Sequence, residues 1–372
     1  MRHGHKKIAC VLTGVLVLGG ICSCGRAMAQ EGLRRYKIGV LATRGKAQCY
    51  RQFNATADYL NQKIPNALFE IVPLDYREVV PAVRTQQVDF VLINPLLYVD
   101  MEILYGVRRI ATLCQSSSPE FHIAYGGSLF IRADRKDIKT LSDLKGKSLM
   151  AVHPLSLGGW LAGYEELMNR GVDPFRDFSK VDFAGLGDEV VMAVLAGKVD
   201  VGMVKTDLLE DMAKEGKINL DLVSVLQGEQ FVPHVEIHKE YQKTQDIGHK
   251  LPRFTRLYPS WPLAKVRHTD EKIAKDVVMV LLGMETDDYA VVRGEYSGWV
   301  TPLNYESVHA LMRKFGVGIY AGYGKVTLRN LFDQHGLWLI TLGVLLVVVI
   351  LTMGKLFILN WEVNQSKRKY EQ

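Results

Sequence analysis

A small hydroxyl residue followed by two glycines, Ser156-Leu157-Gly158-Gly159, stands directly before an apolar-periodic stretch. Such a helix start leaves backbone N–H groups without acceptors and adds the positive end of the helix dipole. Both features suit an anion, with Ser156 Oγ and the amides of Gly158 and Gly159 as donors. A plain Ser N-cap is the competing reading. Arg44-Gly45 occupies the corresponding loop of an earlier segment, where an Arg either pairs bidentately with an oxyanion or stays in solvent. Asn94 and Tyr98 follow a short apolar run, with Asn94 able to cap a helix or donate to a ligand. Lys205 and Thr206 hold the matching place further on. Asp188, in Gly187-Asp188-Glu189, reads first as an N-cap. His234-x-Glu236-x-His238 puts three side chains on one strand face, but lacks the helical spacing of a zinc hydrolase, so an exposed hairpin is expected there. No Ser/His/Asp or Cys/His order forms a catalytic set. No metal or cofactor is expected, and the chain does not read as an enzyme.

These residues lie in two halves that echo each other. Ala82-Val83 and Val88-Asp89 recur as Ala193-Val194 and Val199-Asp200 at a constant offset of 111, continued by Leu97 with Leu208 and Asp100 with Asp211. Upstream, Lys37–Ala42 and Lys147–Val152 are strand-like runs, each followed by a Gly-containing loop and an amphipathic helix near Ala55–Ile64 and Leu161–Arg170. Strands alternating with helices predict parallel sheet, with ligands at the carboxyl ends of strands. Two such lobes predict a cleft between them. After Gln227 the pattern changes. Residues 228–252 read as a loop or β-excursion, Arg253–Val266 contains a strand, and helices are expected near Glu271–Met284 and Tyr305–Phe315.

The 372 residues carry a net charge of +6, 48% hydrophobic and 23% charged residues, which excludes disorder and a disulfide-rich mini-scaffold. Much of the basic excess sits in the tails (Arg2, Lys6, Lys7, Lys367, Arg368, Lys369), leaving no basic stripe for nucleic acid. Basic residues, an apolar run Ile8–Cys22 and Ala27-Met28-Ala29 make residues 1–29 a secretory signal, cleaved after Ala29 or kept as an anchor. The nineteen uncharged residues Gly336–Gly354, extended to Leu359, are long enough to span a bilayer. The basic tail 360–372 then lies in the cytoplasm, and the body 30–335 outside it. In that oxidising compartment Cys49 and Cys114 could pair or stay free.

Several further stretches carry a resemblance. They are Ile38–Ala42; Val88–Pro95 with Tyr98; Arg109–Leu113; Lys145–Ser148 with Ser156–Trp160; Tyr258-Pro259-Ser260-Trp261-Pro262; Gly298-Trp299; and Val308-His309. In order and spacing they resemble the phosphonate-binding-protein-like (PhnD-type) substrate-binding family, and within it the periplasmic sensing domain of tetrathionate-sensor-type histidine kinases. The resemblance covers about Tyr36 to Tyr320. It implies a type II periplasmic-binding-protein fold, α/β, with a ligand clamped between two lobes: lobe 1 about 36–125 and 253–320, lobe 2 about 126–227. It also implies a binding role for Tyr98 and a ligand contact near Asp188. Kinase-bearing relatives continue past the membrane helix, whereas this sequence ends at Gln372.

The expected function is a membrane-tethered, extracytoplasmic module on the cytoplasmic membrane. It would clamp a small anion of the phosphonate, phosphate or sulfur oxyanion type and pass closure to a partner such as a separate sensor kinase. The alternatives are the tethered binding component of an ABC importer, with a permease as partner, or an accessory subunit of a membrane redox complex.

Overall fold

The computed structural model describes residues 33–115, 123–228, 230–233, 254–324 and 328–370. The signal segment, the His234/Glu236/His238 cluster and residues 234–252 of the excursion lie outside the described residues.

Among the described residues two six-stranded sheets and one two-stranded ribbon form the body. Their strands are β1 (Arg34–Leu41), β2 (Ala67–Leu74), β3 (Phe90–Leu92), β4 (Arg108–Gln115), β5 (Ala124–Tyr125), β6 (Gly127–Arg132), β7 (Ser148–Ala151), β8 (Lys180–Phe183), β9 (Val201–Lys205), β10 (Val223–Gln227), β11 (Gln230–Pro233), β12 (Tyr258–Pro259), β13 (Pro262–Lys265) and β14 (Tyr296–Val300). The first sheet runs β14-β4-β13-β3-β1-β2 and the second β11-β10-β6-β9-β7-β8. The chain thus returns to the first sheet after the second is complete.

The parallel pairing expected of strands that alternate with helices forms one half of each sheet, and the sheets as a whole are mixed. Only β2-β1-β3 and β8-β7-β9 are parallel; β13 joins β3, and β6 joins β9, antiparallel. The helical crossovers dictate the parallel triplets. The strands β6 and β13 instead enter straight from segments that pass between the sheets. Those segments pair with each other as β5 and β12, Tyr125 opposite Tyr258. Gly127 is needed at this passage, because a Cβ there would sit 2.5 Å from the Gly158 carbonyl oxygen.

The 111-residue echo is structural. Asp89 accepts the Lys37 amide at 2.8 Å, and Asp200 accepts the Ser148 amide at 2.8 Å, so each ties the start of the third strand to the central strand of its parallel triplet. Each triplet is apolar because helices cover both its faces: Phe90, Val91 and Leu92 are buried, as are Val201, Met203 and Val204.

Helices start earlier than the apolar periodicity placed them. Lys46–Lys63 follows Gly45, whose φ of +93° suits glycine. The second-lobe helix begins with a π-turn, Leu157–Leu161, and continues as Ala162–Asn169. The helices near the end of the body are Glu271–Leu282 and Glu306–Phe315. A final helix, Leu328–Tyr370, is non-helical only at His335, and its run His335–Arg368 is long and apolar enough to cross a membrane, with none of it buried against the body. Cys49 and Cys114 are buried free thiols.

Candidate ligand-binding site

The strand ends of both lobes open into one cavity, lined by Thr43 and Arg44 after β1, Tyr76 after β2, Asn94 after β3, and Tyr125 and Trp261 at the passages between sheets. Lobe 2 contributes Val152, Ser156, Gly158, Gly187, Lys205 and Leu208. A second compartment shares Thr43, Arg44, Lys205 and Trp261 and adds Gln115, Asp207, Asp211 and Glu295.

Local sequence explains the frame. Asn94 precedes Pro95 and caps the helix Pro95–Tyr105, its Oδ1 accepting from the amides of Leu96 and Leu97. Its Nδ2 donates across the cleft to the Leu155 carbonyl at 3.0 Å. Ser156 caps the π-turn: the Gly159 amide donates to its Oγ at 3.2 Å. The Gly187 amide donates to the Thr43 carbonyl of the other lobe at 3.0 Å, and His153 stacks on Tyr76 with centroids 4.0 Å apart. The lobes are therefore closed on each other.

Inside this frame three buried donors have no hydrogen-bond partner among the described residues: Tyr76 Oη, Tyr125 Oη and Trp261 Nε1. Ser156 and Asn94 lie near the Tyr76 hydroxyl, and Trp261 near that of Tyr125, but none reaches hydrogen-bonding geometry. Burial pushes the Tyr76 phenol up to about 12 and that of Tyr125 well above its ordinary value, so both are protonated donors at neutral pH. A buried polar group left unpaired costs about 1–3 kcal/mol. Three such donors around one cavity can each bond an acceptor atom placed in it.

The expected site residues divide. Asn94, Ser156, Gly158 and Lys205 line the cavity. Lys205 Nζ donates to Gln115 Oε1 of the other lobe at 3.0 Å and lies 3.8 Å from Asp207. Arg44 lines it too, but its guanidinium is taken. It binds Asp188 at 2.6 and 3.0 Å and Glu215 at 2.7 and 2.8 Å, while Lys217 holds both carboxylates at 2.8 and 2.9 Å. Burial would raise the Asp188 and Glu215 carboxyls, but hydrogen bonds from Arg44 and Lys217 outweigh it and hold both below the ordinary range. Asp188 is also not the N-cap; Leu186 holds that place, freeing the Asp188 side chain for Arg44.

Three expected contacts turn elsewhere. Tyr98 is fully buried away from the cavity, donating to Glu102 at 2.6 Å and accepting from Arg109 at 3.0 Å. Position 98 lies a full helical turn beyond Asn94, farther along the helix from the strand end, where its ring packs against Tyr305. Thr206 Oγ1 accepts the Gly126 amide at 3.2 Å and fastens the passage instead of a ligand. The Gly159 amide is spent on Ser156, and a Cβ at Gly159 would meet Val152 Cγ2 at 2.5 Å. The residues missed, Tyr76, Tyr125 and Trp261, were visible only as aromatics at or just beyond strand ends.

Comparison with known proteins supplies the family. A model described as "ABC transporter, phosphonate, periplasmic substrate-binding protein" matches residues 38–317. The chain belongs to this family. Among curated members, the tetrathionate sensor histidine kinase TtrS of Salmonella typhimurium is 27% identical over 326 residues, covering 87% of this chain and 50% of the relative. The chain thus spans about half the length of the curated relative it matches. Among solved folds, PhnD1 from Prochlorococcus marinus in complex with methylphosphonate superposes with TM-score 0.62 at 15% identity, covering 76% of this chain and 99% of that one. A binding protein component of an ABC phosphonate transporter from Pseudomonas aeruginosa gives TM-score 0.61 at 14% identity, covering 80% and 91%. The fold is the two-lobed periplasmic-binding-protein type of these neighbours, and the family is one of substrate-binding proteins.

Proposed function

We propose that the chain is an extracytoplasmic binding module that clamps a small oxyanion between its lobes and passes closure to a membrane partner such as a separate sensor kinase. One observation carries the reading: the hydroxyls of Tyr76 and Tyr125 and the indole N–H of Trp261 are buried, without a partner among the described residues, and gathered around one cavity. Among the described residues no carboxylate lines that inner cavity. Donors without a strong acceptor favour a fully ionised oxyanion over one that keeps an acidic proton. Family membership and the likeness to a sensor kinase support the same reading.

In this proposal residues 1–29 direct export, residues 336–359 span the cytoplasmic membrane, and 360–372 lie inside. Domain closure about the β5–β12 ribbon is the movement available for signalling. A tethered importer component is the second reading, favoured by the family's own description.

A thermal-shift screen of the chain against methylphosphonate, phosphate, sulfate, thiosulfate and tetrathionate tests the binding reading. An anion at 100 times its Kd stabilises by about 2.7 kcal/mol; no shift with any oxyanion would sink it. A C-terminal alkaline phosphatase fusion, inactive if the tail is cytoplasmic, tests the topology.

A further inference from the structure

The helix Pro95–Tyr105 is buried from Pro95 to Met101, yet it ends in two adjacent apolar side chains in solvent, Ile103 at 53% and Leu104 at 58% exposure. Basic groups flank the pair. The Arg108 side chain is 76% exposed, and its nearest carboxylate, Glu271, is 3.9 Å away and equally exposed, a pair of little strength. The exposed Arg267 lies along the helix end, its Cδ 3.9 Å from where a Gly106 Cβ would be.

The chain leaves the folded body at this same helix end. The Ile319 amide donates to Asp100 at 2.9 Å. The Tyr320 hydroxyl lies 3.0 Å from His309 Nδ1, whose Nε2 is 3.3 Å from Glu102, the neighbour of Ile103. From Tyr320 to His335, where the apolar run begins, is fifteen residues (335 minus 320), of which those from Leu328 are helical. At ~3.5 Å per extended and ~1.5 Å per helical residue, this tether reaches no more than roughly 40 Å. Tyr323, within it, is 63% exposed.

We propose that the first lobe docks on the outer leaflet of the membrane from which it hangs, with Ile103 and Leu104 entering the headgroup boundary and Arg108 and Arg267 on anionic lipid phosphates. The inference rests on the reading of residues 336–359 as a membrane span. An apolar pair between cationic side chains is the pattern of interfacial anchoring, because the hydrocarbon partitions while the guanidinium heads stay with the phosphates. A second exposed apolar group, Met279, Tyr289 and Val292, does not fit a lipid surface. The loop joining its two helices, Glu271–Leu282 and Tyr289–Gly294, carries Glu285, Asp287 and Asp288, which anionic headgroups repel, whereas Glu102 and Glu271 beside the first pair are held by Arg109 and Lys265. Docking through the helix Pro95–Tyr105 would hold the first lobe still, so that closure moves the second lobe against a fixed base.

The test uses the full chain in phosphatidylcholine nanodiscs containing about one quarter phosphatidylglycerol and a nitroxide lipid, labelled at the headgroup for positions 104 and 175 and at mid-chain for position 346, which lies at the centre of the span. A fluorescent amino acid replaces Leu104, Phe175 or Leu346 in separate preparations. Phe175, exposed on the second lobe, is the distant reference, and Leu346 reports insertion of the span. The expected result is several-fold stronger quenching at 104 than at 175, falling toward the reference when Arg108→Gln and Arg267→Gln are combined. Quenching at 346 with none at 104 above the reference overturns the docking and leaves the span intact. No quenching at 346 overturns the span, and the docking with it.

Discussion

Arg44 of the first lobe holds Asp188 of the second through two parallel hydrogen bonds, Nε to Oδ1 at 2.6 Å and Nη2 to Oδ2 at 3.0 Å. Glu215 takes the remaining face of the same guanidinium. The cluster contains two cations and two carboxylates, so it neutralises itself and functions as a latch between lobes.

Arg44→Ala should open the lobes in the absence of ligand, visible as a larger radius of gyration in solution scattering. Arg44→Lys should give an intermediate value, because an ammonium keeps the charge and loses the fork. The pH dependence follows from the two depressed carboxyls. A carboxyl held low contributes stability above its ordinary value of ~4 and loses it as pH falls through the depressed one. Closure should persist at neutral and weakly acid pH and fail only below the ordinary carboxylate range. Opening near pH 6 would count against this latch.

Two tyrosines should behave oppositely. Tyr125→Phe removes a donor that has no partner without ligand, so the melting temperature of the ligand-free protein should hold or rise while affinity falls about tenfold. Tyr98→Phe breaks bonds to Glu102 and Arg109, so melting should fall with affinity unchanged. Calorimetric titration with the best anion of the panel, beside melting of the free protein, reads both. Loss of affinity in Tyr98→Phe alone would reverse the assignment.

Ser156→Ala should lower both quantities. The cap on Gly159 is lost, at about 1 kcal/mol, and so is a hydroxyl facing the cavity. Gly159→Ala should lower only stability, since its Cβ meets Val152 within the lobe. Unchanged melting in Ser156→Ala would remove the capping role.

Asp211 gives a signal of opposite sign. Burial pushes its carboxyl up to about 6. A carboxyl raised by folding contributes stability below its ordinary value of ~4, lost as pH rises through the raised one. Asp211→Asn should therefore stabilise the protein by about 1–3 kcal/mol at pH 8 and leave it nearly unchanged at pH 4. Denaturant titrations at the two pH values check this; equal effects at both would show that the carboxyl is not strained.

Much of the architecture was legible because its determinants are local. The offset linking Asp89 to Asp200 marks two equivalent strand-to-strand ties, and such an echo survives in sequence because each copy needs the same short apolar strand after the same turn. The helix starts at Asn94 and Ser156 were legible for the same reason: a cap bonds within three residues of itself. The apolar run after Gly336 needed only length and composition.

What the sequence could not contain is which way a side chain turns once two lobes meet. Arg44 looked free because its partners lie 144 and 171 residues away. Tyr98 reads as a ligand contact in sequence, but it lies a turn along its helix and packs against Tyr305, while Tyr76, Tyr125 and Trp261, each at or just beyond a strand end, line the cavity. Capping and periodicity act over a few residues and are written along the chain. The facing of donors across a cleft is set by the packing of both sheets together, and only the folded molecule decides it.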